Sequence, residues 1–104
     1  MRALTFVLLL LLAVAGPARG QAGDPEAGHA LAQSLCADCH AVDAGELQST
    51  NPDSPPFQAI AKKPEMTALA LTVFFQTPHP SMPNLVVAGD DARNLIAYIQ
   101  SLKP

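Results

Sequence analysis

Two cysteines and a histidine stand close together in the first half of the chain, in the run Cys36-Ala37-Asp38-Cys39-His40. Two thiols three positions apart can reach the two vinyl groups on adjacent edges of one porphyrin and form thioethers with them. An imidazole directly after the second thiol can then bind the porphyrin iron. This spacing is that of covalent haem attachment. It predicts one haem c per chain, bound through Cys36 and Cys39, with His40 as the proximal iron ligand.

Three other kinds of site use parts of the same motif. A thioredoxin-like redox pair places its cysteines at a helix start within a βαβ unit, but the sequence has no convincing strand. A zinc site could take Cys36, Cys39, His40 and His79, although adjacent cysteine and histidine ligands make an awkward tetrahedral chelate. A structural disulfide is the third alternative, in an oxidising compartment. The histidine after the second cysteine favours haem over all three.

The other axial position of the iron needs a ligand further along the chain, and the candidates are Met66, His79 and Met82. Met66 lies near the start of an apolar helical stripe and is expected in the core. Met82 lies in the segment 77–84, where three prolines restrict the backbone and remove hydrogen-bond donors. Because a stiff loop can hold a thioether at a fixed point, we expect Met82 to be the second axial ligand. His79 in the same loop is the alternative.

The haem-binding residues need elements to position them, and the sequence predicts three helices. The first helix spans about residues 25–36, because Asp24 is a good N-cap and Pro25 suits the first helical position. Its expected apolar face consists of Ala27, Leu31 and Leu35.

The other two predicted helices follow the motif. The middle helix spans 64–76, with a stripe expected to lie in the core at Met66, Leu69, Ala70, Val73 and Thr77. The last helix spans about 91–102 with Asp90 as its N-cap. Its apolar face is formed by Leu95, Tyr98, Ile99 and Leu102. The stretch 43–56, rich in proline and turn residues, is predicted to be a loop that wraps one edge of the haem.

The first twenty residues have the pattern of a signal peptide. Arg2 precedes an apolar run over residues 3–15, and Ala18 and Gly20 suit a cut before Gln21. A membrane span would need roughly twenty apolar residues, so an uncleaved anchor is the less favoured alternative. We therefore expect residues 1–20 to be removed and residues 21–104 to form one periplasmic domain without a membrane span.

The charge and size of the remaining domain limit its partners and its stability. The net charge is −3, and two of the six basic residues, Arg2 and Arg19, lie in the predicted leader, so the mature charge is 4 − 9 = −5. That sign argues against a nucleic-acid partner and suits a partner with a basic docking patch. A domain this small, with many alanines in its core, often needs a metal or a cofactor to fold.

Taken together, these residues resemble a small bacterial class I cytochrome c over nearly the whole predicted mature chain. The order of parts carries the resemblance: the motif follows an N-terminal helix, the methionine lies in a proline-containing loop, and Tyr98 supplies an aromatic residue in the last helix. The resemblance implies the all-α cytochrome c fold, with three main helices and loops packed around one covalently bound haem.

The resemblance also implies roles for particular residues. In this family a glycine eight residues before the first cysteine lets the first and last helices cross closely, and Gly28 stands there, expected to meet Leu95 and Tyr98. A proline carbonyl accepts a hydrogen bond from the haem histidine, and Pro55 fits that role, with Pro52 as the alternative.

The rest of the haem pocket is implied in the same way. Its expected members are Phe57, Ile60, and Phe74 or Phe75. The chain departs from the family at Ala32, where the family usually has an aromatic residue. Leu31 or Leu35 is expected to substitute for that contact.

The predicted site is that of an electron carrier rather than an enzyme, because both axial positions are filled and no spare acid–base pair is present. We expect a soluble monomer that passes single electrons between periplasmic redox proteins by Fe(II)/Fe(III) cycling. A haem subunit of a larger periplasmic dehydrogenase or oxidase complex is the alternative. An open-site haem enzyme or a gas-binding protein is less favoured, since it would need a free sixth position and Met82 argues against one.

Overall fold

The structure, a computed structural model, describes residues 23–82 and 85–104. It contains the helices α1 (Pro25–Leu35), α2 (Phe57–Lys62), α3 (Ala68–Gln76) and α4 (Gly89–Ser101). Within these residues there is no strand. The predicted all-α fold with three main helices is therefore confirmed, and α2 is a short additional helix that the sequence did not predict. The predicted signal peptide, residues 1–20, lies outside the described residues.

Helix α1 begins as predicted. The Asp24 carboxylate accepts a hydrogen bond from the backbone N–H of Glu26 at 2.9 Å, and Pro25 occupies the first helical position. This bond satisfies one of the N–H groups that the first turn of a helix leaves without a partner.

The apolar face predicted for α1 is wrong at Ala27 and Leu35, whereas Leu31 is half-buried and packs against the core as predicted. The helix buries its small residues, Gly28 and Ala32, with Ala32 fully buried, whereas Leu35 is 45% exposed and Ala27 is also exposed. The reason is a close crossing with α4. A Cβ atom on Gly28 would lie 2.9 Å from the Cβ of Tyr98 and against the backbone carbonyl of Asn94, so no side chain fits at this position.

Helix α3 begins at Ala68, four residues later than predicted. The Oγ1 of Thr67 accepts a hydrogen bond from the N–H of Ala70 at 3.1 Å and caps the helix. The residues before it form a turn instead, in which the N–H of Met66 donates to the carbonyl of Lys63 at 3.0 Å. The proline at position 64 therefore precedes the helix rather than opening it.

The core stripe predicted along α3 is wrong at three of its five positions, because Leu69, Val73 and Thr77 are exposed, whereas Met66 and Ala70 are half-buried. Leu71 is the buried residue of this helix, while Leu69 is 73% and Val73 is 56% exposed. Apolar side chains lie nearly all round α3, so helical spacing alone selects no single face. Packing within the fold makes that choice and turns Leu71 inwards.

Helix α4 begins at Gly89, before the predicted N-cap residue Asp90, which therefore lies in the first turn. Gly89 has a φ of +62°, in the left-handed region that favours glycine, and it turns the chain into the helix. Asp90 and Asp91 in the first turn suit the positive end of the helix dipole.

The core lies around α4, whose predicted apolar face is confirmed. Its buried members are Leu95, Ile96, Tyr98, Ile99 and, just after the helix, Leu102. Helices α1, α2 and α3 each pack against this helix. None of the helices in the described part of the chain is long and apolar enough to cross a membrane.

Candidate functional site

The motif residues form a tight turn directly after α1. The N–H of Cys36 donates to the carbonyl of Ala32 at 2.8 Å, and the N–H of His40 donates to the carbonyl of Cys36 at 2.8 Å. Cys36, Cys39 and His40 are all half-buried, and no disulfide joins the two cysteines. Burial raises the pKa of the Cys36 thiol. The turn thus keeps two free sulfurs and an imidazole within one short stretch of chain.

The ring of His40 is oriented by a backbone carbonyl from the following loop. Its Nδ1 lies 2.7 Å from the carbonyl oxygen of Pro55, close enough to donate a hydrogen bond. The sequence predicted Pro55 or Pro52 for this contact, and Pro55 makes it. An imidazole that donates through Nδ1 has Nε2 as its unprotonated nitrogen, and that nitrogen can bind a metal.

The loop after the motif is bound to the backbone on both sides of His40. The N–H of Asn51 donates to the carbonyl of Cys39 at 3.1 Å. The N–H of Ala41 donates to the Oγ of Ser49 at 2.9 Å, and the carbonyl of Ala41 accepts from the N–H of Phe57 at 2.9 Å. The histidine therefore lies on a segment that the loop 49–57 fixes at both ends.

Sequence reasoning missed Ser49 and Asn51. Both stand in the loop 43–56, and serine and asparagine side chains commonly form hydrogen bonds with nearby backbone groups in such loops. That preference is the signal that could have identified Ser49, whereas Asn51 contacts Cys39 through its backbone N–H and its side chain contacts Asp53.

Phe57, the first residue of α2, packs against His40. It is buried, with its ring centroid 5.5 Å from that of His40 and 6.4 Å from that of Tyr98. Ile60, one turn later, is half-buried against the core. Phe57 thus connects the motif to the core around α4.

Tyr98 is held from two directions at the crossing of α1 and α4. Its hydroxyl donates to the carbonyl of Val42 at 2.5 Å, and its ring stacks on His29 with centroids 4.7 Å apart. The Nε2 of His29 lies 2.5 Å from a carboxylate oxygen of Asp43. Burial, and then the charges of Asp43 and Glu46, raise the pKa of Tyr98.

His29 provides an aromatic ring against Tyr98 that the sequence did not predict. Of the two residues expected to replace the family's aromatic residue at Ala32, Leu31 is half-buried against the core and Leu35 is 45% exposed. The sequence places His29 one turn before Ala32, but only the crossing of α1 and α4 shows that its ring contacts Tyr98.

Met82 and His79 line the same cavity. Its apolar walls include Phe75, Leu85 and Val86, and residues 77–82 are non-helical, as predicted. His79 also packs on Phe74, with ring centroids 3.6 Å apart. Residues 83 and 84, at the end of the predicted loop, lie outside the described residues.

Met66, the third candidate ligand, does not line that cavity. Its side chain packs against the core, as expected, and its backbone carbonyl accepts a hydrogen bond from the Nε2 of Gln100 at 2.8 Å. Met66 is therefore part of the packing between α4 and the turn before α3.

The donor set suits a c-type haem better than zinc. The two free thiols have the spacing that two vinyl groups require, and the imidazole has its Nδ1 hydrogen-bonded and its Nε2 available. Across residues 23–82 and 85–104, no three or more histidine, cysteine or acidic side chains are grouped as a metal site. The zinc alternative at Cys36, Cys39, His40 and His79 thus has no support in this part of the chain.

Comparison with known proteins gives a relative that is similar over nearly the whole chain. The chain is 36% identical over 98 residues to cytochrome c-552 of Bradyrhizobium diazoefficiens, and the alignment covers 93% of each protein. No family model matches the chain, and no solved structure matches it. With this identity over nearly its whole length, the chain belongs to the small c-type cytochromes, which carry electrons on a haem c rather than act as enzymes.

Proposed function

We propose that this chain is a soluble, monomeric periplasmic cytochrome that carries single electrons between redox proteins on one haem c. The observation that carries the proposal is the 2.7 Å contact between the Nδ1 of His40 and the carbonyl of Pro55, directly after two free cysteines. When bound, a haem c supplies one-electron Fe(II)/Fe(III) chemistry. The residues of the chain have to attach it, orient its ligands and keep other molecules from the iron.

Cys36 and Cys39 attach the haem in this proposal. Each thiol would add its S–H across one vinyl group, so that two thioether bonds would form and no atoms would be released. Because both cysteines lie in the turn after α1, the links also tie the cofactor to the crossing of α1 and α4. A thin core then gains a large apolar group that cannot dissociate.

His40 and Met82 are the proposed axial ligands. The hydrogen bond to Pro55 fixes the ring orientation of His40, as partners of metal-bound histidines commonly do. Support for Met82 comes from its place in a proline-rich segment and on a cavity whose walls include Phe75, Leu85 and Val86. A histidine and methionine pair gives a higher reduction potential than two histidines, and it leaves no open position for a substrate.

The ligand proposal is tested by the absorption spectrum of the oxidised protein. The wild type and Met66→Leu should both show the weak sulfur-to-iron charge-transfer band of a methionine-bound ferric haem. Met82→Leu should lose that band, because leucine has the same bulk but no donor atom. A wild-type protein that lacks the band, or that binds carbon monoxide readily when reduced, would instead indicate an open site.

The domain boundaries and the haem stoichiometry are tested together by mass spectrometry of the exported protein. We expect the mass of residues 21–104 plus one haem, retained under denaturing conditions because the links are covalent. An N-terminus at Met1 would contradict the cleaved leader. Loss of haem on denaturation would contradict the thioether bonds.

A further inference from the structure

Ser49 joins the loop that fixes His40 to the motif segment through its side chain. Of the contacts that join this loop to the segment 39–41, the bonds through Asn51, Pro55 and Phe57 use backbone atoms of the loop. Ser49 alone contributes a side chain, since its Oγ accepts the N–H of Ala41 at 2.9 Å. The side chain is half-buried.

The loop between Ser49 and Pro55 is short and internally bonded. The Oδ1 of Asn51 accepts a hydrogen bond from the N–H of Asp53 at 3.0 Å. The carbonyl of Asn51 accepts from the N–H of Ser54 at 3.0 Å. These two bonds make a turn of residues 51–54. A shift of Ser49 at the start of the loop would therefore also shift the carbonyl of Pro55 at its other end.

The position of that carbonyl matters for the proposed chemistry. The strength of the His40–Pro55 hydrogen bond sets how much electron density the imidazole donates to a bound metal. A stronger donor stabilises the ferric state and lowers the reduction potential, and a weaker donor raises it.

We propose that Ser49 is a positioning residue, which holds the Pro55 carbonyl on His40 by anchoring the start of the loop to Ala41. The inference rests on the proposed function, because it assigns to this serine a part in tuning the axial histidine. It adds a side chain that can alter the potential without contacting either axial ligand.

The test compares Ser49→Ala, Ser49→Thr and Ser54→Ala in the haem-loaded protein. Ser54 is a matched control, since it lies in the same loop and its hydroxyl forms no hydrogen bond among the described residues. Ser49→Ala should raise the reduction potential. The His40 Nδ1–H, followed by nitrogen-15 NMR of the ferrous protein, should exchange with solvent about two- to ten-fold faster, the range expected for one weakened hydrogen bond.

Ser49→Thr keeps a hydroxyl and should return both quantities towards the wild type, while Ser54→Ala should leave both unchanged. If Ser49→Ala does not yield folded protein, Asn51→Ala provides the second variant, because it removes the side-chain bond to Asp53 and should shift the potential in the same direction.

The inference is overturned if Ser49→Ala lowers the melting temperature but leaves both the potential and the exchange rate of the Nδ1–H unchanged. The proposed function fails in a different way. In that case the wild-type protein itself would show no histidine-bound haem, and the variants would have no potential to compare.

Discussion

His40 and Tyr98 are each held by a hydrogen bond to a backbone carbonyl and by a neighbouring aromatic ring. The ring of His40 is held by Pro55, and the backbone on either side of it is bound by the loop 49–57. Tyr98 combines a buried ring with a hydroxyl that reaches the carbonyl of Val42, 56 residues earlier in the chain. Each residue therefore connects distant parts of the chain through a polar atom and a packed ring.

Replacing Tyr98 with phenylalanine should remove the hydroxyl bond and leave the ring stack on His29. We expect the free energy of unfolding to fall by about 1 kcal/mol, the usual net value of such a bond. Urea unfolding at neutral pH measures this change. An unchanged free energy would mean that the Val42 carbonyl finds an equivalent partner in the variant.

The free energies of unfolding of the wild type and of Tyr98→Phe should also depend differently on alkaline pH. Because burial and the nearby carboxylates of Asp43 and Glu46 raise the pKa of Tyr98, the folded state holds the phenol proton more tightly than the unfolded state. This contribution to stability is fully present below the unfolded pKa of about 10 and is lost as the pH rises through the folded pKa.

The stability advantage of the wild type over Tyr98→Phe should therefore shrink above about pH 10. Urea titrations of both proteins between about pH 8 and pH 11 follow this range. An advantage that stays constant with pH would contradict the raised pKa.

The crossing of α1 and α4 is the main contact between elements. It depends on small residues of α1, because Gly28 lies against the backbone of Asn94 and the Cβ of Tyr98. The backbone N–H of Asp24 also donates to the Oδ1 of Asn94 at 2.8 Å, so the cap of one helix is bound to the side of the other.

Gly28→Ala should destabilise the protein although alanine favours helices. The added methyl group must separate the helices or distort them, and overpacking of this kind typically costs about 1–3 kcal/mol. Thermal or urea unfolding measures the effect. The control is Ala30→Gly at an exposed position of the same helix, which reports the intrinsic preference for alanine alone, about 1 kcal/mol. A Gly28→Ala protein as stable as the wild type would show that the crossing is looser than the contacts indicate.

At the scale of the whole molecule, the described residues form an acidic surface. Eight of its nine carboxylate residues are exposed, Asp43 being the half-buried one. Basic residues are few, and Arg93 is paired with Asp90. A surface of this sign should attract a partner with a basic docking patch and should repel an acidic one.

Electron transfer to a basic redox protein should therefore slow as ionic strength rises. At about 0.1 M salt the screening length is about 10 Å, which weakens steering between exposed charges. Stopped-flow rates at increasing salt measure the effect, with an uncharged small reductant as the control that should show little change. A rate that does not fall with salt would rule out the proposed electrostatic docking.

Short-range features were predictable from the sequence because their determinants are neighbours in the chain. The spacing of Cys36, Cys39 and His40 indicated the cofactor, and Asp24 with Pro25 marked the start of α1. The apolar face of α4 followed from its helical spacing and was confirmed. The order of these features along the chain also pointed to the family to which the protein belongs.

Tertiary structure alone decided which of several equivalent residues makes each long-range contact. It selected Leu71 on an α3 that is apolar nearly all round, His29 as the ring against Tyr98, and Pro55 as the proline beside the haem-motif histidine. The physical reason is that periodicity and motif spacing describe one segment at a time. Which face is buried, and which carbonyl is within hydrogen-bond distance, depends on how segments far apart in the chain pack together.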